Sequence, residues 1–201
     1  MNVSGMLTTL SIAALVGSSA QAGDRPEKVA QQWCAACHTA TGNSISQLFP
    51  RIAGQKQNYI VRQLKEFRSK NRSDEAAHDY MWGVARTLDD SAIDGVARYF
   101  AAQKPLPNPR QSDNSLVSAG KEIYLRGIPA KGASACVACH GDNGQGTEIA
   151  PRLAGQHAAY FVKQMHVFET LQRPSAAAMQ GIVKSLSDDD VRALAAYAQS
   201  L

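Results

Sequence analysis

An all-α fold built from two tandem copies of one domain is predicted by three observations. The first is an internal repeat. Residues 50–67 read PRIAGQKQNYIVRQLKEF and residues 151–168 read PRLAGQHAAYFVKQMHVF, with nine of eighteen positions identical. Met81, Leu88 and Tyr99 are matched further on by Met179, Leu186 and Tyr197. A shared order of motifs at a fixed spacing marks a duplicated unit. The second is periodicity. Tyr59, Ile60, Gln63, Leu64 and Phe67 recur at helical spacing, as do Tyr160, Phe161, Gln164, Met165 and Phe168, and no stretch alternates as a strand would. The third is Pro105, Pro107 and Pro109, which cannot continue a helix and favour an extended connection.

The elements follow in order. Residues 7–16 are apolar and lead to Ala20-Gln21-Ala22, the pattern of an export signal over residues 1–22 cleaved near Ala22-Gly23, although no Lys or Arg precedes Asp24. Pro26 suits the first turn of a helix that delivers Trp33 and the residues after it. Asp89 is an N-cap for the last helix of the first copy. The first domain spans 23–104, the proline-rich linker 105–111 and the second domain 112–201. In the second copy Ser118 is the expected cap of the first helix, which carries Ile123, Tyr124 and Leu125. Ser187 caps the last helix, with Asp190 placed to close a capping box.

Bulk composition narrows the function. Of 201 residues, 19% are charged and 44% apolar, and the formal net charge is +4. That is a soluble globular composition without the basic tail of a nucleic-acid binder. Residues 24–110 carry 13 basic and 9 acidic side chains, whereas residues 111–201 carry 8 of each. Arg62, Lys65, Arg68, Lys70 and Arg72 supply much of that difference. They form either a solvated helix face or a docking patch for an acidic partner or anionic lipid.

The chemistry lies in a pentapeptide that occurs twice, Cys34-Ala35-Ala36-Cys37-His38 and Cys136-Val137-Ala138-Cys139-His140, and uses all four cysteines. Cys-x-x-Cys-His is the attachment signal of c-type haem. Two thiols about one helical turn apart reach the two vinyl groups of one porphyrin, and the histidine is carried under the iron. Zinc is the rival, but pairs 102 residues apart, each followed directly by His, do not have finger spacing. A thioredoxin-like pair would need a βαβ setting. The reading is two covalent haems with His38 and His140 as axial ligands.

The sixth ligand is sought among the methionines beyond the signal, namely Met81, Met165 and Met179. Met81 and Met179 occupy matching places in the repeat. Met165 matches Leu64 and reads as core. His78, His157 and His166 are the alternatives; His157 and His166 match Lys56 and Lys65 and read as surface residues. Pro50 and Pro151 are placed to accept the axial histidine's ring N–H on their carbonyls. Arg51 and Arg152 are either solvated charges or bidentate donors to haem propionates. Tyr59 and Tyr160 are core residues or propionate donors. Gly141, Gly144 and Gly146 suit a tight turn at the haem edge.

The order CxxCH, PR[IL]AGQ, Met and terminal helix, occurring twice after an export signal, resembles the dihaem cytochrome c4 family over nearly all of the mature chain. The resemblance implies two class I cytochrome c domains, each wrapped around one covalent haem and related by a pseudo-twofold axis. It implies haems held by Cys34, Cys37, His38 and Met81, and by Cys136, Cys139, His140 and Met179. It further implies a periplasmic electron carrier, in some members loosely attached to the inner membrane, passing electrons from a quinol-oxidising complex toward a terminal oxidase. One departure is a ligand loop three residues longer in the first domain. A His/Met pair leaves no open coordination position, so no enzyme and no small-molecule substrate is expected, and the mild net charge of +4 gives no expectation of a nucleic-acid partner. The competing classes are the electron outlet of a dehydrogenase or flavocytochrome complex, and a dihaem peroxidase or thiosulfate-oxidising enzyme.

Overall fold

The structure, a computed structural model, describes residues 25–201, so the expected export signal lies outside the described residues. Among the described residues the chain is helices, turns and one isolated bridge between Ile128 and Ala133. In the first domain α1 (Pro26–Val29) runs without a break through a π-helical turn (Ala30–Cys34) into α2 (Ala35–His38). Pro26 occupies the first turn, where its missing N–H costs nothing. Next, α3 (Gln57–Arg68) turns Ile60, Gln63, Leu64 and Phe67 inward. A second π-helical turn (Ala77–Met81) leads into α4 (Trp82–Ala85). The domain closes with α5 (Asp90–Ala101), where Asp89 accepts the Ala92 N–H at 2.7 Å as its N-cap. π-helical turns recur at functional positions, and these two end on Cys34 and Met81.

The second domain begins with α6 (Asn114–Arg126), and here the expected cap is corrected. Asp113, not Ser118, caps the helix, accepting from the N–H groups of Ser115 and Leu116. Ser118 lies a turn inside, where its hydroxyl donates to the Asn114 carbonyl at 2.9 Å. The Asp113 carboxylate meets the free N–H groups first, so the helix starts earlier than Ser118 implied. Nor does α6 deliver the second motif directly, as the long first helix does in domain one. It stops at Gly127, and a small loop closed by the Ile128–Ala133 bridge precedes α7 (Val137–His140). After it come α8 (Ala158–Phe168), α9 (Ala177–Val183) and α10 (Asp188–Ser200). The last begins with the expected capping box of Ser187 and Asp190.

The cores are built around the last helix of each domain, packed on the first helix and on the helix that follows the Pro-Arg block. In domain one Val29, Ala30, Ile60, Leu64, Leu88, Ile93, Val96, Ala97 and Phe100 are buried together. In domain two Tyr124, Leu194 and Tyr197 form one cluster, and Met165, Val183 and Val191 another. A fully buried side chain of this size contributes about 1.5–3 kcal/mol. Glycine sets the closeness of the second crossing, because a Cβ on Gly120 would sit 2.0 Å from the Ala193 carbonyl oxygen.

The connection is not a loose tether. Asn43 Nδ2 donates to the Lys104 carbonyl at 3.0 Å, and its Oδ1 accepts the Leu106 N–H at 2.9 Å. Toward domain two, Asn108 Nδ2 donates to the Gly155 carbonyl at 3.0 Å and Gln199 Nε2 to the Ser112 hydroxyl at 2.9 Å. The strap is bonded to both domains.

Candidate functional site

The two motif histidines are held alike. His38 Nδ1 lies 2.9 Å from the Pro50 carbonyl, and His140 Nδ1 lies 2.8 Å from that of Pro151. A carbonyl only accepts, so each ring carries its proton on Nδ1 and keeps the Nε2 lone pair free for a metal. Burial pushes both imidazoles below the ordinary histidine pKa, against the opposing effect of the proline carbonyls. They are therefore neutral at physiological pH, as a ligand must be.

Local backbone explains the matching geometry. The residue after each histidine turns the chain at positive φ: Thr39 at 64° and Gly141 at 80°. Four residues after His38 the Gly42 carbonyl accepts from Ile52 and Ala53, and Gly144 does the same for Leu153 and Ala154. Those paired bonds fasten the Pro-Arg segment against the turn, bringing each proline carbonyl to the ring above it. Gly141, Gly144 and Gly146 all have positive φ, so the expected tight turn is formed.

None of the four cysteines is in a disulfide, so all four sulfurs are available for covalent attachment. Burial pushes the Cys34 thiol up to about 11 and the Cys136 thiol likewise to about 11, the neighbouring motif cysteine adding to the rise in each case. Among the described residues no group of three or more His, Cys, Asp or Glu is placed to hold a metal ion, so the zinc arrangement is not formed. Met81 is half-buried against the domain-one core, and Met179 against Met165, Val183 and Val191. Met165 is buried in that core.

Two of the alternative histidines stay at the surface. His78 pairs with Asp79 at 2.7 Å, and His166 lies 3.7 Å from Glu169. The third is a correction. His157 is fully buried, with Nε2 2.9 Å from the Ser44 carbonyl of domain one and Nδ1 3.2 Å from Asn108 Nδ2. Its burial comes from the other domain and the strap, not from its own helix, which is why its match to Lys56 misleads.

The domain interface is made from the repeat itself. Gln156 takes the Arg51 N–H on Oε1 at 2.9 Å and donates Nε2 to the Arg51 carbonyl at 3.0 Å. Gln55 treats Arg152 in the same way, at 2.7 and 3.0 Å. Alongside, Arg72 donates to Gln63 and Gln164 at 2.8 and 2.9 Å, and Arg173 donates to Gln164, Gln63 and Tyr59. Arg72 is therefore a buried interface residue, 4% exposed and paired with Asp74 at 2.9 Å, and not part of a surface patch. Burial alone would raise the Tyr59 phenol pKa, but Arg173, Arg72 and Arg62 draw it below its ordinary value. Burial alone would lower the Arg72 pKa, but the Asp74 carboxylate beside it holds the guanidinium charged, and Tyr160 is half-buried on α8. Arg51 spends its guanidinium on Asn43, Ser44 and the strap carbonyls of Leu106 and Pro107. Burial lowers the pKa of Arg51, with Arg152 nearby adding to it, and burial lowers that of Arg152. Gln55 and Gln156 received no role from sequence reasoning. Their signal was present, since both close the repeated PR[IL]AGQ block.

Two helical domains, each presenting two thiols and a carbonyl-oriented histidine, define a dihaem c-type cytochrome. The cytochrome c family model matches residues 24–104 and again 117–201. Cytochrome c4 of Azotobacter vinelandii is 34% identical, over 98% of this chain and 96% of its own length. The crystal structure of reduced recombinant cytochrome c4 from Pseudomonas stutzeri superposes with a TM-score of 0.77 at 33% identity, covering 88% of this chain and 96% of that one. A thiosulfate dehydrogenase electron acceptor of Stutzerimonas stutzeri is 34% identical over 88% of this chain and 81% of its own length. The chain belongs to the cytochrome c4 family. It is a protein of electron transport with two covalently bound haem c groups, and the four cysteines outside any disulfide, the neutral buried histidines and the single proton on each Nδ1 fit that group.

Proposed function

We propose that the chain is a periplasmic electron carrier that accepts electrons from a quinol-oxidising complex and delivers them toward a terminal oxidase. Cys34 and Cys37 tether one haem in a domain spanning 23–104, with His38 and Met81 as axial ligands. Cys136 and Cys139 tether the other in a domain spanning 112–201, with His140 and Met179. The observation that carries this reading is the pair of Nδ1–carbonyl contacts of 2.9 and 2.8 Å at equivalent histidines, each following two cysteines that form no disulfide. When bound, haem supplies a one-electron Fe(III)/Fe(II) couple. The protein's part is to hold both ligands still: the prolines fix the imidazoles, the helical cores fix the methionines, and thioether sulfur raises the potential. With both axial positions filled there is no place for a substrate, so we read a carrier and not an enzyme. Arg152 and Tyr160 remain donors toward a propionate.

Location follows from the export signal read in residues 1–22. No helix among the described residues is long and apolar enough to cross a membrane. The exposed basic face is narrower than its sequence suggested, because Arg72 is buried and Lys65 and Arg68 both pair with Asp90. A second reading, the electron outlet of a dehydrogenase, is favoured by the thiosulfate dehydrogenase electron acceptor that shares 34% identity with this chain.

Pyridine haemochrome quantification tests the core of the proposal. Two haems per chain should survive acid–acetone extraction, and the oxidised protein should show the far-red Fe(III)–Met band. Met81→His and Met179→His should each remove about half of that band and lower one potential, whereas Met165→Leu should leave it. A single haem, or a band lost only with Met165, would overturn the assignment. Reduction by a purified thiosulfate dehydrogenase faster than by a quinol-oxidising complex would select the second reading.

A further inference from the structure

The peptide group that joins Pro50 to Arg51 is used on both sides. Its carbonyl accepts from His38 Nδ1 at 2.9 Å, and its N–H donates to Gln156 Oε1 at 2.9 Å. The peptide joining Pro151 to Arg152 is used in the same way, by His140 at 2.8 Å and by Gln55 Oε1 at 2.7 Å. Each glutamine belongs to the opposite domain from the histidine it reaches. Both glutamines are buried, at 6% and 8% exposure, and each has its amide nitrogen anchored on the carbonyl one residue on.

We propose that Gln156 and Gln55 are positioning residues that act across the domain interface: Gln156 sets the basicity of His38 in domain one, and Gln55 that of His140 in domain two. This rests on the axial roles given above to His38 and His140. Hydrogen bonds in series polarise one another. When Gln156 accepts the Arg51 N–H, the same amide's carbonyl becomes a better acceptor for His38 Nδ1–H. The imidazole then donates more strongly at Nε2, which favours ferric iron. Partners one step beyond a ligand tune the metal in this way. Because the arrangement is reciprocal, the ligand of each domain is poised only while the other domain is docked.

Potentiometric titration of the holoprotein tests the relay, with the two steps assigned to domains by Met81→His and Met179→His, each of which lowers its own. Gln156→Met keeps the side-chain length and removes the acceptor. It should make the domain-one step easier to reduce, lowering the oxidised-to-reduced ratio at the parent midpoint by about threefold, where tenfold is 59 mV for a one-electron couple. The domain-two step should stay. Gln55→Met should do the converse. Gln156→Glu retains an acceptor oxygen and should move the domain-one step the other way, and further than the domain-two step. Asn58→Ala removes a different cross-domain bond, that to the Glu148 carbonyl at 2.8 Å, and should move neither. Shifts that fall equally on both steps, on the glutamine's own domain, or on neither would overturn the relay. If the methionine variants move no step, the ligand assignment fails instead, and the two failures are distinct.

Discussion

Replacing Gly120 by alanine isolates the packing of the α6–α10 crossing. The added Cβ would lie 2.0 Å from the Ala193 oxygen, 2.5 Å from its carbonyl carbon and 2.9 Å from Tyr197 Cβ. A relaxed carbon–oxygen contact is about 3.3 Å or more, so the helices must part by over an ångström. The nearest atoms are backbone and cannot rotate aside. Overpacking costs about 1–3 kcal/mol, and a backbone neighbour places this case at or above the upper end. Alanine returns about 1 kcal/mol through its better helix propensity. The net loss is about 2 kcal/mol, or a fall of roughly 8–16 °C in the melting temperature of a domain of this size. Far-UV circular dichroism of the holoprotein should show the domain-two transition moving down while that of domain one stays. In domain one the matching crossing has its glycine on the other helix. A Cβ on Gly95 would meet side-chain atoms of the Pro26 ring at 2.2 Å, with the nearest backbone atom at 3.7 Å, so Gly95→Ala should cost less. An unchanged or raised melting temperature for Gly120→Ala would refute the packing argument.

Three more outcomes are expected. Thr39→Gly should stabilise domain one by about 1 kcal/mol in a urea titration, since a β-branched residue held at φ 64° is strained where the repeat has Gly141. Burial lowers the His157 pKa, with Arg51 and Arg110 adding and the Ser44 carbonyl opposing. The unfolded chain therefore takes up that proton first, so the contribution of His157 is complete above about pH 6.5 and is lost as pH falls below it. His157→Gln should flatten the parent's acid loss by at most about 1.4 kcal/mol per pH unit, read from urea midpoints at pH 7 and 5; identical slopes would count against it. Asp74→Asn should destabilise the protein by about 3 kcal/mol in calorimetry, because the buried Arg72 guanidinium then lacks its carboxylate.

What the sequence revealed depended on how local the cause was. Asp89, Ser187 and Asp190 were legible because capping acts over three residues. Ser118 was misplaced by one turn because Asp113 competes for the same N–H groups and sits among other loop-like residues. The motif histidines and their prolines were legible because duplication wrote the same answer twice. Arg72 and His157 were misread because what buries them is the opposite domain, and no pattern within one helix records that. The repeated glutamines had the needed signal, yet their partners are backbone groups, which have no letter in the sequence.

The way the halves meet has a consequence for how such a chain can change. Gln55 reaches Arg152 as Gln156 reaches Arg51, which is the self-complementary contact of a homodimer, here joined end to end by the strap. In a true homodimer every substitution is made twice. A carboxylate gained on one side of the arginine cluster would appear on both. Fusion lifts that constraint, and this chain has used the freedom: Asp74 pairs with Arg72 two residues before it, whereas the residue two after Arg173 is Ser175. The two halves thus differ in charge inside their shared interface, at a position where a symmetric pair of separate chains would have to carry the carboxylate twice or not at all.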